Sequence, residues 1–354
     1  MVANMKLVRT LSAFLLLLIA FGCSETPTVP HSVTIMTFNV ENLFDNVDDP
    51  DKADRDYLPI EQKQNDEHRA ACMEVEVESW RNRCLTINWN DEILRRKLEV
   101  VAEAILQVDG GRGPDIIALQ EIENIGILER LRTEFLADAD YLPGVLVEGW
   151  DARGIDVAFL TRLPVQGQPQ LHEIEFDAEF ADRRGDTRGI LQADFVLPDG
   201  SLLSGFSVHF PAPFHPTPMR VSAYERLNQL ANALPEDRHV FAAGDFNTTS
   251  VDDRDNDMLN RFARPGWIVS NDLCAGCKGT AYYSVDGTWS YLDMILWRKC
   301  CGARTTWGLR ENPVAIANQT IQQVMPDGTP RRFKMPEGTG VSDHWPVIFR
   351  LESK

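Results

Sequence analysis

Positive charge is what this sequence has least of: 35 lysines and arginines stand against 53 aspartates and glutamates, a formal net charge of −18 over 354 residues. That balance excludes a broad basic face built to hold nucleic acid through its phosphates. It leaves room for a local basic cleft, and a bound cation can itself place positive charge where a phosphate sits. The chain is also poor in long apolar runs. The best of them, Leu11 to Phe21 behind Lys6 and Arg9, is too short to span a bilayer comfortably and has the make-up of a signal sequence. There is no convincing internal repeat and no obvious linker to a second domain. What is present, 44% hydrophobic residues, is ordinary for a folded protein with a substantial core.

On this reading residues 1–22 are a signal peptide, 23–32 a tether, and 33–354 one folded domain carrying a surface insertion at 45–90. The signal ends "IAFGCSE", and Gly22-Cys23 resembles the lipobox of bacterial lipoproteins, although Ala20 and Phe21 depart from the preferred residues. The expectation is an exported chain at the periplasm or cell surface, anchored to a bacterial membrane by lipid on Cys23; the alternative is an ordinary secreted protein. Six other cysteines follow: Cys72, Cys84, Cys274, Cys277, Cys300 and Cys301. An even count behind an export signal predicts disulfides. "CAGC" followed by "CC" could instead hold zinc, but the compartment is the stronger indication. Cys72 with Cys84 is the expected local pair, and the pairing of the other four stays open.

Along the chain, "SVTIMTFNV" predicts a strand ending near Phe38 and Asn39. The acidic run "DNVDDPDKADRDYLP" breaks the pattern and opens the insertion. From the N-cap Asn90, "DEILRRKLEVVAEAILQV" puts Ile93, Leu94, Leu98, Val101 and Ile105 on one helical face. "PDIIALQEI" is a buried strand, followed by a helix through "IGILERLRTEFL". Further strands are read in "GIDVAFL", "GILQADFVL", "SLLSGFSVHF", "HVFAAGDF", "YLDMILW" and "HWPVIFRL", with a helix at "VSAYERLNQLANAL". Many strands and few helices describe an α+β sandwich better than an alternating parallel sheet.

"GDFN" shows where chemistry could lie. Asp245 and Asn247 are two apart, so on an extended strand end both would point the same way. Taken alone they are equally a turn. Yet Asn39, Glu121, His209, Asp245 with Asn247, Asp293, and Asp343 with His344 all follow or sit within apolar strand runs. If those strands share a sheet edge, carboxylates, amides and imidazoles converge on one cleft. Such oxygen donors suit Mg²⁺ or Mn²⁺ rather than structural zinc.

The ordered set "TFNVENLF", "LQEIEN", "RGIDVAFL", "SVHF", "GDFN", "YLDMIL" and "GVSDHWPV" resembles the endonuclease/exonuclease/phosphatase superfamily, across about residues 33–352. Its members include pancreatic-type deoxyribonucleases, apurinic endonucleases, sphingomyelinases and inositol polyphosphate phosphatases. The resemblance implies a four-layer α/β/β/α sandwich, two mixed β-sheets packed face to face with helices outside. It implies that Glu121 is the principal metal ligand, with Asn39 beside it and Asp343 completing the metal or water network. Asp245 would orient or deprotonate the attacking water, Asn247 would hold a phosphate oxygen, and His344 would stabilise the charge developing on phosphate. Asp293 would fix the tautomer of His344, and His209 would serve near the leaving group.

Phosphodiester hydrolysis needs a cation, hydrogen-bond donors and a group that aims water, and these residue types supply them. Arg153 could add a phosphate contact, with Asp156 in support, or be a solvated turn. The expected activity is metal-dependent phosphodiester or endonucleolytic cleavage of DNA or RNA outside the cytoplasm by a monomer. The alternatives are a phosphatase, a sphingomyelinase-like phospholipid phosphodiesterase, or a noncatalytic surface binding module. Trp267, Tyr282, Tyr283 and Trp289 read as packing residues along the cleft border more readily than as base-stacking platforms.

Overall fold

The apolar run Ile116 to Leu119 in "PDIIALQEI" is buried on both sides, and its side chains alternate between two cores: Ile116 and Ala118 enter one, Ile117 and Leu119 the other. A strand with no polar face must have layers on both sides. The computed structural model describes residues 31–299 and 306–354 and supplies those layers. One six-stranded sheet contains β1 (Ser32–Leu43), β2 (Ile116–Ile122), β3 (Val145–Leu146), β4 (Asp156–Thr161), β13 (Trp307–Ile316) and β14 (Val347–Ser353), in the order β13-β14-β1-β2-β4-β3. The other contains β5 (Val165–His172), β6 (Ile190–Val196), β7 (Leu202–His209), β8 (His239–Asp245), β9 (Trp267–Val269) and β12 (Asp293–Arg298), in the order β5-β6-β7-β8-β12-β9. A separate hairpin pairs β10 (Ala281–Tyr283) with β11 (Thr288–Ser290).

The central core lies between the sheets, where Ile35, Ile116 and Phe159 of one meet Phe195, Phe241 and Ile295 of the other. Phe159 sits edge-on to Phe195, their ring centroids 5.3 Å apart. On the first sheet's outer face, Met36, Phe38 and Ile117 pack with Leu94, Leu98 and Val101 of α3 (Asp91–Leu106). Asn90 caps that helix by accepting from the Ile93 amide. On the second sheet's outer face, Phe206, Val240 and Ala242 meet Tyr224 and Leu227 of α5 (Thr217–Ala233). The result is the α/β/β/α sandwich expected.

Four local expectations are corrected. β1 runs past Asn39 to Leu43 with a register shift. The helix expected over "IGILERLRTEFL" is a short α4 (Ile125–Arg130) followed by a wider turn at Leu131–Phe135. β5, with the polar sequence VQGQPQLH, and β13 are strands that no apolar alternation announces, because each is an edge strand. The insertion is more than a surface loop. It holds α1 (Asp66–Met73) and α2 (Glu78–Thr86), stapled by Cys72–Cys84, and Tyr57 stacks on Phe44 at 4.1 Å with Trp89 edge-on at 5.3 Å. Cys274 pairs with Cys277. Cys23, Cys300 and Cys301 lie outside the described residues.

Candidate active site

Strand register brings the polar strand ends together. β1 and β2 are parallel, with Asn39 beside Gln120; β7 and β8 are parallel, with His209 beside Asp245; and antiparallel β12 sets Asp293 opposite Asp245. Gly244 permits this approach, since a Cβ there would stand 1.9 Å from the Val208 carbonyl oxygen. Asn39 joins the two sheets: its Nδ2 donates to Glu121 Oε1 at 3.3 Å and to Asp245 Oδ2 at 3.1 Å. It is 1% exposed, and its bond to Asp245 is buried.

The "GDFN" question resolves both ways. Asp245 Oδ1 accepts the Asn247 amide at 2.8 Å, an Asx turn, while Oδ2 faces Asn39 and the two histidines. Asn247, at φ 49°, donates one Nδ2 hydrogen to the Phe210 carbonyl at 2.9 Å. A second N–H of that amide remains to be used.

Asp293 Oδ2 accepts from His344 Nδ1 at 2.7 Å, and the His344 ring is held further by its backbone, whose amide donates to Ser342 Oγ. Burial disfavours the imidazolium, but Asp293 and then Asp343 outweigh it, so His344 stays protonated well above the usual histidine range. Its Nε2 lies 3.9 Å from Asp245 Oδ2 and 3.8 Å from Asp343 Oδ1. Burial pushes Asp245 up to about 7, against the lowering pull of His344. His209 is buried behind Asp245, its Nε2 3.6 Å from Oδ2, and burial first, then Arg188, drives it well below the usual range. It is therefore a neutral imidazole.

Glu121 reaches the site on left-handed backbone, φ 65°, as do Glu41 at 56° and Asn42 at 59°. Such conformations cost of order 1–3 kcal/mol each in non-glycine residues and concentrate at functional sites. Here they turn the Asn42 amide onto Glu121 Oε2 at 2.8 Å. Sequence reasoning missed Glu41, although it lies within "TFNVENLF". Arg332 donates to Glu41 at 2.6 Å and pairs with Asp343 at 3.1 Å. Burial, then Asp343, pushes Glu41 up to about 7. Lys97, on the apolar side of α3, is fully buried and donates to the carbonyls of Val40 and Val341 at 2.6 and 2.7 Å. Burial pulls it down to about 8. A lysine on a helix reads as solvated, so nothing in the sequence signalled this role.

Arg153 donates to Asn42 Oδ1 and shares a cleft with Glu121, Arg83, Arg332, Trp80 and Phe214. Asp156 does not support it: that carboxylate accepts from the Gly149 amide at 2.9 Å, and Asp151 takes the Arg153 amide instead. Trp267 is buried and donates to Asn228, so it packs. Tyr282, Trp289 and Trp345 form a row with 5.2 Å centroid spacings beside the bridge between Ala281 and His344.

Glu121 offers a half-buried carboxylate to a cation, with both oxygens oriented by amides and no arginine or lysine salt-bridged to it among the described residues. That is an oxygen donor set for a hard divalent ion. Asp343 stands nearby but is already engaged by Arg332. A different set gathers in the site, Asp245, Asp293 and His344, with one donor atom of each within 4.8 Å of the others. The short Asp293–His344 bond explains that set as a histidine and its carboxylates.

A model of the Endonuclease/Exonuclease/phosphatase family matches residues 36–344. Among solved structures, humanized D. rerio TDP2 superposes with a TM-score of 0.56 at 14% identity, over 90% of this chain and 98% of that one. An endonuclease/exonuclease/phosphatase from Bacteroides vulgatus gives 0.53 at 16%, over 92% and 100%. D. rerio TDP2 complexed with single strand DNA product gives 0.50 at 16%, over 90% and 98%. No curated protein matches. At these identities the structural likenesses speak for the fold.

Proposed function

The chain belongs to the endonuclease/exonuclease/phosphatase family, a family of phosphoester-cleaving hydrolases, and from that premise we propose that it is a divalent-metal-dependent phosphodiesterase cutting DNA or RNA outside the cytoplasm. The observation that carries this reading is the pair of hydrogen bonds that Asn39 Nδ2 donates to Glu121 and Asp245, which joins the Glu121 carboxylate to the carboxylate beside His344. Glu121 and Asn39, with Asp343 at the rim, would hold Mg²⁺ or Mn²⁺. When bound, the ion supplies positive charge against the phosphoryl oxygens.

The chain's own groups divide the remaining work. Asp245, poised near neutrality, orients the attacking water and accepts its proton. His344 donates from Nε2 to a non-bridging phosphate oxygen, a bond that strengthens as charge gathers there. Asp293 holds the other ring nitrogen and keeps the imidazole charged and aimed. Asn247 directs its second amide hydrogen at phosphate. His209, neutral and 3% exposed, acts through Asp245, as a positioning group.

Nucleic acid as substrate is supported by the cleft around Glu121, where Arg83, Arg153 and Arg332 can take phosphates while Trp80 and Phe214, 56% and 78% exposed, offer stacking faces. The similar D. rerio TDP2 holds a single-strand DNA product in the same fold. Location outside the cytoplasm is supported by the apolar run Leu11 to Phe21, by Gly22-Cys23, and by the two disulfides.

The test is turnover of plasmid DNA, RNA, bis-nitrophenyl phosphate, sphingomyelin and inositol phosphates by purified full-length protein, with Mg²⁺ or Mn²⁺ and with chelator. Metal-dependent cleavage of DNA or RNA is expected. Undiminished turnover in chelator, or turnover confined to sphingomyelin or inositol phosphates, overturns the reading. Membrane fractions of the full chain and of Cys23→Ala should differ if the lipid anchor is real.

A further inference from the structure

A second group of carboxylates, sharing no residue with the phosphate site, lies between the start of the insertion and the segment after β2. One oxygen each from Asp49, Asp54 and Glu123 lies within 4.8 Å of the others. Asp54 is 1% exposed and Glu123 is 2% exposed. Asp45 adjoins them: its amide donates to Glu123 Oε2 at 2.6 Å, and Asn124 Nδ2 bridges Asp45 and Glu123 at 3.1 and 3.2 Å. Asp54 Oδ2 accepts the Asp49 amide at 2.9 Å. The other Asp54 oxygen, Oδ1, is buried with no hydrogen-bond partner. One oxygen of this same carboxylate belongs to the cluster.

Two buried carboxylates do not gather with two half-buried ones without compensation. The flanking acids are compensated by guanidinium groups: Asp48 faces Arg55 at 3.8 Å and Asp56 faces Arg83 at 3.3 Å. Among the described residues no lysine or arginine forms a salt bridge with Asp45, Asp49, Asp54 or Glu123. The donors are all oxygens, with no imidazole or thiolate, which selects a hard cation. Ca²⁺ tolerates irregular loop-borne geometry that Mg²⁺ does not.

We propose that Asp49, Asp54 and Glu123, with Asp45 beside them, form a Ca²⁺ site separate from the phosphate site. The ion would tie the first arm of the insertion to the end of β2. That arm continues into Tyr57, which stacks on Phe44 and lines the cleft with Arg83 and Arg332. Ca²⁺ would therefore hold a wall of the cleft, and its effect is measurable without any substrate.

The experiment is calorimetric unfolding of the chelator-treated full chain titrated with Ca²⁺ in excess Mg²⁺. A rise in Tm of roughly 4 °C is expected at a hundredfold excess over the dissociation constant. It should persist in Glu121→Gln and disappear in Asp54→Asn and Glu123→Gln. Should those buried variants fail to fold, Asp49→Asn, at a half-buried position, should fold and need about tenfold more Ca²⁺ for the same rise. No Ca²⁺-dependent rise in the wild-type chain, an equal rise with Mg²⁺ alone, or a rise lost in Glu121→Gln and kept in Asp54→Asn would overturn the proposal.

Discussion

β1 and β2 reach the site through left-handed backbone at Glu41, Asn42 and Glu121, whereas β8 and β12 deliver Asp245 and Asp293 in unbroken antiparallel register. The first pair presents carboxylates whose compensation comes from outside the strands, through Arg332 and the buried Lys97. The second pair arrives with its partner in place, the Asp293–His344 bond at 2.7 Å. One sheet end thus gathers negative charge suited to an added cation. The other is an organised acid–imidazole unit. Under the proposed function a phosphoester site uses both, and the strained half is the one that would take the added cation.

The largest effect should come from removing the charge on the strained side. Glu121→Gln keeps the shape but loses the ligand charge and one of the two amide contacts, since its NH2 cannot accept from the Asn39 or Asn42 N–H, and activity is expected to fall by a factor on the order of 10³ or more. Metal titration of the variant checks this: recovery of full rate at high Mg²⁺ would make Glu121 a minor ligand. On the organised side, His344→Ala should lower kcat by on the order of 10³ while KM moves far less, since its contact grows in the transition state. Asp293→Asn leaves the ring in place but poorly held, and should cost on the order of 10². The two changes combined should cost no more than His344→Ala alone; a loss equal to their product would separate residues that the structure joins.

The smallest effect concerns Asp156, at the start of β4 on the first sheet's side. Burial, then Glu148, pushes its carboxyl up to about 8, above the ordinary aspartate range near 4. The neutral form is thus favoured on folding, so its contribution to stability is present below that ordinary range and is lost as pH rises through about 8. Other buried carboxyls titrate in the same window, so the informative quantity is a difference. Tm of Asp156→Asn should fall less steeply between pH 4 and 8 than that of the wild-type chain, and parallel profiles would place the effect elsewhere.

Much of the fold, and most of the residues that meet in the candidate site, could be read in advance, for physical reasons. β2, β8 and α3 carry apolar runs long enough to fix both their type and their depth. Glu121, Asp245 and Asp293 stood out because a polar residue at the end of such a run has nowhere to go but a sheet edge; the strand expected over "HWPVIFRL" begins only at Val347, so His344 reaches the site from the segment before it. β5 and β13 were invisible because edge strands face water and need no apolar alternation. The left-handed turn at Glu41 and Asn42 could not be seen because neither residue is glycine. Lys97 and Arg332 act through tertiary contacts across long sequence separations, which no local pattern encodes. Glu123, two residues beyond Glu121, was read only as part of "LQEIEN".

The claim that the two sheet ends form one site is tested most directly by a double-mutant cycle across them, Glu121→Gln against His344→Ala, scored on kcat/KM for bis-nitrophenyl phosphate in saturating Mg²⁺. If both residues act on one phosphate, the double variant should be little slower than the slower single variant. A double variant slower by the full product of the two single losses would show two independent contributions and contradict a shared site.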